Sequence, residues 1–408
     1  MRRPEIRRRQ LLRVALGVGG ATLLGRLAAD GGWPFSHHGE GPGDGSDLPS
    51  GRPFSDARSG ADDHETRPRM TGSKAWIAAP AGLTLSAEER RFFADERPWG
   101  FILFARNIQS ERQVADLVAS LKEIGGRATT PVFIDQEGGR IARLRPPLAP
   151  AYPAPAAIGQ LFAVDPGAGE RAAWLQGRLL AADVMAYGIN ADCVPCLDVP
   201  VAGAHSVIGD RAYGLNADTV ATLGRAVADG AMAGGVLPVM KHVPGHGRGN
   251  ADSHHELPRV DAPRAELART DFAPFRALHT LPAAMTAHIL YTDIDPRHPA
   301  TLSKVVIDSV IRTEIGFDGL LMSDDMSMKA LSGDLYDLSA AALMAGCDVV
   351  LHCNGDMAEM RRVASAAQPL AGDAKRRAEA CEAVIARAPE ALTDGLRTEY
   401  DALMARVG

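Results

Sequence analysis

The sequence predicts a single (β/α)8 barrel of the TIM type, an α/β fold with further helices at its C-terminus. Three observations carry that prediction. Eight short apolar runs alternate with helix-like segments between residues 75 and 352. Several of these runs are continuously apolar, as parallel strands covered on both faces must be. The polar clusters fall just after their C-terminal ends, where barrels of this type carry their chemistry.

The strand candidates are residues 75–79, 100–104, 132–135, 189–194, 236–241, 283–288, 319–323 and 347–352. Helical segments fill the gaps. Ser86-Ala87-Glu88-Glu89 and Ser110-Glu111-Arg112-Gln113 read as capping boxes that open two of them. Val114, Leu117, Val118 and Leu121 then form an apolar stripe at helical spacing. Asn216 is placed to cap a helix that runs to Ala233 and stops at Gly234-Gly235. Residues 172–187, 264–279, 304–315 and 338–345 supply other helices, and 373–406 one or two terminal ones. The rival, an open doubly wound sheet, favours a Gly-rich phosphate turn after its first strand. Ala79-Pro80-Ala81-Gly82 is not one.

Ahead of the barrel, residues 1–29 form a signal-like leader. Arg2, Arg3, Arg7, Arg8, Arg9 and Arg13 precede a mildly apolar run and a small-residue stretch, and Arg8-Arg9 resembles a twin-arginine signal. Residues 30–69, rich in Gly, Pro, Ser and Asp, are expected to be a disordered linker. A second reading starts the chain at Met70. Either way, residues 70–408 form the expected catalytic domain.

Of the 408 residues, 46% are hydrophobic and 23% charged, which is globular composition. Net charge is −6, from 44 basic and 50 acidic residues, so nucleic acid is not an expected partner. No apolar run reaches the ~18–20 residues of a stable membrane span. Five cysteines make no disulfide framework.

The chemistry-bearing residues group by strand. The third strand ends in Asp135-Gln136-Glu137-Gly138-Gly139-Arg140, with Arg143 close behind. These side chains suit sugar hydroxyls, an anionic group, or a salt-bridge network. The fifth strand ends in Lys241-His242, and Pro244-Gly245-His246-Gly247 opens a polar loop expected to be mobile. In that loop, the Asp252 carboxylate is two residues from His254 and can fix its tautomer for acid/base work. The loop has no His-Glu-x-x-His and no spaced Cys/His set, so no metal is expected. Cys193 and Cys196 are expected to be buried packing. The seventh strand ends in Ser323-Asp324-Asp325; adjacent residues on extended chain point apart, and the apolar run before them favours Asp324 for the barrel mouth. An ionised carboxylate there can attack an electrophilic carbon.

Together these motifs, with Gly100-Phe101-Ile102-Leu103-Phe104-Ala105-Arg106-Asn107 and Met326-Ser327-Met328, resemble glycoside hydrolase family 3 β-N-acetylglucosaminidases. The resemblance covers nearly all of the body. It implies Asp324 as nucleophile, His254 paired with Asp252 as acid/base, and Asp135, Arg143, Arg211, Lys241 and His242 as sugar-binding positions. It also implies a retaining reaction without cofactor on a terminal β-linked N-acetylglucosamine of peptidoglycan fragments, in a cytoplasmic monomer. Val243 stands where the family often has an aromatic, and Arg248-Gly249-Asn250 varies the loop. Export of a twin-arginine leader would instead place the enzyme in the periplasm. Competing functions are a β-glucosidase or β-xylosidase, a phosphorylase of the same fold, and a non-catalytic muropeptide-binding protein.

Overall fold

A computed structural model describes residues 72–407; the leader and linker lie outside them. Eight parallel strands close into a barrel. They are β1 (Lys74–Ala78), β2 (Pro98–Leu103), β3 (Val132–Ile134) and β4 (Ala191–Asp192). They continue as β5 (Leu237–Val243), β6 (Ala283–Thr286), β7 (Leu320–Asp325) and β8 (Val349–Leu351). Each strand pairs with its neighbours in the chain, and β1 closes on β8 through Trp76↔Val350 and Ile77↔Leu351. All eight expected strands are present.

Strand alternation sorts the core into two shells. Ile77, Phe133, Ala191, Leu237, Val239, Ala283, Met285, Leu320, Met322, Val349 and Leu351 fill the barrel interior. Phe101, Val132, Ile134, Met240, Ala284, Leu321 and Val350 face the helices. Continuous apolar strands arise because both faces are buried.

The helices follow their sequence signals with instructive departures. Helix α1 (Ala87–Glu96) opens on the Ser86/Glu89 capping box. Helix α2 (Glu111–Gly125) is capped by Ser110, but without the reciprocal half of the box. The Gln113 side chain instead accepts from Gln109 N–H and donates to Leu83 and Asn107 carbonyls, stitching the loop after β2. Next come α3 (Pro155–Val164), absent from the sequence reading, and α4 (Pro166–Met185). Asp165 caps α4, so it begins ahead of the expected residue 172. Asn216 caps α5 (Ala217–Ala233) as expected.

The stretch expected as one helix over 264–279 splits into α6 (Arg264–Leu267) and α7 (Ala273–Ala277). Phe272 and the Asp271 carboxylate are buried between them, which a continuous helix would not allow. A π-helix spans Val306–Glu314, followed by α8 (Leu335–Ala345) and α9 (Met357–Ala366). The terminal segment forms two helices, α10 (Gly372–Ile385) and α11 (Gly395–Met404).

Ala378, Cys381 and Val384 of α10 pack into the interior cluster. The Trp99 indole donates to Glu382 on the same helix, at 3.0 Å. Trp99 lies near the start of β2, so α10 plugs the N-terminal end of the barrel. The open end is therefore the C-terminal one.

Candidate active site

The inward row of each strand delivers a polar residue to the open end. Phe133 points inward, so Asp135 does too; Leu237 and Val239 put Lys241 in the same row. Leu320 and Met322 continue to Asp324. Asp325 points the other way. Its carboxylate accepts Ser327 N–H and Oγ–H and the Cys353 N–H, so it organises the turn after β7.

At the centre is a buried ion network. Lys241 Nζ lies 2.9 Å from Asp135 Oδ1 and 2.8 Å from Glu137 Oε1. Arg143 Nη2 donates to Asp135 Oδ2 at 2.9 Å. Arg211 holds Glu137 with two parallel bonds, of 2.9 Å and 2.7 Å, the strong bidentate geometry. Burial by itself would raise both carboxyls. The cations outweigh it, holding Asp135 well below the carboxylate range and Glu137 down at about 2. Burial would also lower Lys241, but its two carboxylates raise it. Asp135, Glu137, Lys241 and Arg211 are thus ionised together at neutral pH, and removing one would strand a buried charge.

Four of the five expected sugar-binding residues, Asp135, Arg143, Lys241 and Arg211, meet in this network. The fifth, His242, is next to Lys241 and turns its Nδ1 to Asp198 Oδ2 at 2.7 Å. Glu137 was missed as a site residue, although its motif was singled out. Its part depends on Arg211, 74 positions away, which no local pattern reveals.

Asp324 sits at the rim, half-buried, with Oδ1 accepting the Asp325 N–H at 2.8 Å. Burial pushes its pKa up, but nearby His288, His242 and Lys241 pull it below the ordinary value, so it stays ionised. His288, fully buried at the end of β6, bonds Thr301 Oγ1 through Nδ1 and donates from Nε2 to the Asp325 carbonyl. It thereby fixes the backbone of the Asp324-Asp325 turn.

The loop after β5 carries the remaining pair. Asp252 Oδ1 accepts both the His254 N–H (3.0 Å) and His254 Nδ1–H (2.7 Å), a tight turn that closes the dyad on itself. The imidazole is 65% exposed. The pair is formed and solvent-facing. The loop is held at three points. His246 N–H donates to Asp198, Arg248 pairs with Asp271 and Glu266, and Ser253 O accepts from Ala330 N–H.

Among the described residues one group has the spacing of a metal site, Cys196, Asp198 and His242. Cys196 Sγ–H and His242 Nδ1 both engage Asp198, at 3.3 and 2.7 Å, so the three already satisfy one another. All three are buried. Cys193 faces the barrel interior as packing.

A closed barrel that gathers carboxylates, a cationic cradle and a loop-borne imidazole at the C-terminal ends of its strands has the layout of a barrel enzyme. The chain belongs to glycosyl hydrolase family 3, whose N-terminal-domain model matches residues 74–386. It is 38% identical over 283 residues to a β-hexosaminidase of Bordetella pertussis, covering 68% of this chain and 80% of that protein. The fold is similar to NagZ from Neisseria gonorrhoeae, solved in complex with N-trifluoroacetyl-D-glucosamine. The TM-score is 0.73 at 31% identity, covering 83% of this chain and 99% of that one. A family 3 β-N-acetylglucosaminidase from Paenibacillus is also similar, with a TM-score of 0.70 at 30% identity, covering 82% of this chain and 66% of that one. No helix of the described residues is long and apolar enough to cross a membrane.

Proposed function

We propose that this glycoside hydrolase removes terminal β-linked N-acetylglucosamine from peptidoglycan fragments by double displacement. The observation that carries the reading is the ionised Asp324 carboxylate on the inward row of β7, beside the Lys241–Asp135–Arg143 cradle. The names of the relatives support the sugar.

In the first step an Asp324 oxygen attacks the anomeric carbon as the bond from that carbon to the leaving oxygen breaks. His254, entering as the imidazolium, gives its proton to that oxygen. In the second step the neutral imidazole takes a proton from water. The water oxygen bonds the anomeric carbon, and the ester to Asp324 breaks. Asp252 holds Nδ1–H throughout, so Nε2 does the proton transfer. The loop carries His254 toward the bound sugar. Asp135, Arg143, Lys241 and His242 bind the sugar hydroxyls, and Arg211 acts with them through Glu137. The enzyme acts as a monomer and needs no cofactor. It works in the cytoplasm, with the leader and linker taking no part in the chemistry. N-terminal sequencing of the native protein distinguishes this from twin-arginine export.

The test is turnover of an aryl β-N-acetylglucosaminide against the matching β-glucoside, with and without phosphate, by the wild type and Asp324→Ala. The wild type should favour the N-acetylated substrate and release free sugar. Asp324→Ala should lose about 10³-fold or more in kcat. Near-wild-type turnover by that variant would sink the nucleophile, and sugar phosphate as product would make the enzyme a phosphorylase.

A further inference from the structure

The reaction above leaves one fully buried carboxylate without a task. Asp198 lies on the segment after β4, and its carboxylate collects four donors. Oδ1 accepts the backbone N–H of His242 at 3.2 Å and of His246 at 2.6 Å. Oδ2 lies 2.7 Å from His242 Nδ1 and 3.3 Å from Cys196 Sγ. The backbone on either side runs along the β5 chain: Leu197 N–H donates to the Lys241 carbonyl at 2.7 Å and Val201 N–H to that of Gly247 at 3.4 Å.

Burial would raise the Asp198 carboxyl, yet His242 and His246 and their N–H bonds hold it well below the usual range. An ionised carboxylate only accepts hydrogen bonds. His242 Nδ1 must therefore carry a proton, leaving the opposite ring nitrogen as the polar atom free for the barrel mouth. His242 thus has the buried Asp198 carboxylate behind it, holding its Nδ1. His246 begins the loop that bears Asp252 and His254. It reaches that pair a second time, with Nε2 at 3.4 Å from Ser253 Oγ.

We infer that Asp198 is a positioning residue that sets the His242 tautomer, Nε2 toward the sugar, and pins the root of the His254 loop. In its kinetic part this rests on the hydrolase reading above. The tautomer and the anchor do not depend on it.

Asp198→Asn is the informative change, because it keeps the shape and removes the charge. The amide oxygen can still take the two backbone N–H groups, which turns the amide NH2 toward His242. A donor there forces Nδ1 to accept and moves the ring proton to Nε2. Nitrogen-15 NMR of the full chain should show His242 protonated at Nδ1 in the wild type and at Nε2 alone in Asp198→Asn. Turnover of the aryl β-N-acetylglucosaminide, read as kcat/KM, should fall about 10-fold or more, by analogy with the roughly 10–100-fold typical where the carboxylate behind a metal-binding histidine is removed. Adding His242→Ala to Asp198→Asn should cost less than the product of the two single losses, since one acts through the other.

Full activity in a folded Asp198→Asn, or losses that multiply, would overturn the positioning role. A wild-type His242 protonated only at Nε2 would overturn it without any variant, so the inference is decided even where Asp198→Asn does not fold. Should the wild type not turn over the substrate, the hydrolase reading fails while the NMR still reports on Asp198.

Discussion

Two neighbouring aspartates at the end of β7 have opposite fates, and the period of a strand decides which is which. Leu320 and Met322 belong to the barrel interior, so Asp324 reaches the rim and Asp325 the turn behind it. That alternation is legible in the sequence. The His254–Asp252 pair is legible too, because two residues of separation suffice to close it. Glu137 and Asp198 were not, since each owes its part to a residue 44 to 74 positions away. At this scale the acid role has its own signature. His254→Ala should lose about 10²–10⁴-fold on a natural disaccharide and far less on an aryl glycoside whose leaving group needs no proton. Equal losses on the two substrates would argue against an acid role.

Helix–helix contact shows the same division for whole elements. The caps of α1 and α5 are readable because they are local. What holds α5 against α4 is not. A Cβ on Gly177 would lie 2.1 Å from the Val227 carbonyl oxygen, and one on Gly230 2.1 Å from that of Trp174. The two backbones meet through reciprocal glycines, and both opposing atoms are main chain that cannot swing aside. Gly230→Ala should therefore destabilise by about 1–3 kcal/mol, although alanine is the better helix former. A urea melt reads this directly, and a gain in stability would show that the contact relaxes. The split of the 264–279 stretch into α6 and α7 has a similar cause. The tertiary pull on Phe272 and on Asp271, which receives Arg248 from the loop after β5, overrides helical continuity.

For the whole molecule, the buried ion network makes stability depend on pH in a definite direction. Asp135, Glu137 and Asp198 have folded-state pKa values depressed below those of the unfolded chain. Their contribution is present above the unfolded carboxyl range, near pH 4–4.5, and is lost as pH falls toward their folded values, about 2 for Glu137. Asp183, Asp192, Asp229 and Asp271, raised by burial, work in the opposite sense, but among the described residues more carboxyls are lowered than raised, Asp324 and Asp252 with them. The urea midpoint should drop steadily from pH 5 to pH 3; a flat or rising midpoint would mean that the network is not ionised as described.

The sequence by itself determined the barrel, the order of its strands and the side chains presented at its open end. Strand period, burial on both faces and chain order are local or sequential properties. Only the tertiary structure decided which charges meet. It set Arg211 on Glu137, Asp198 behind His242 and α10 beneath the barrel floor, because those contacts join parts of the chain that only closure of the barrel brings together.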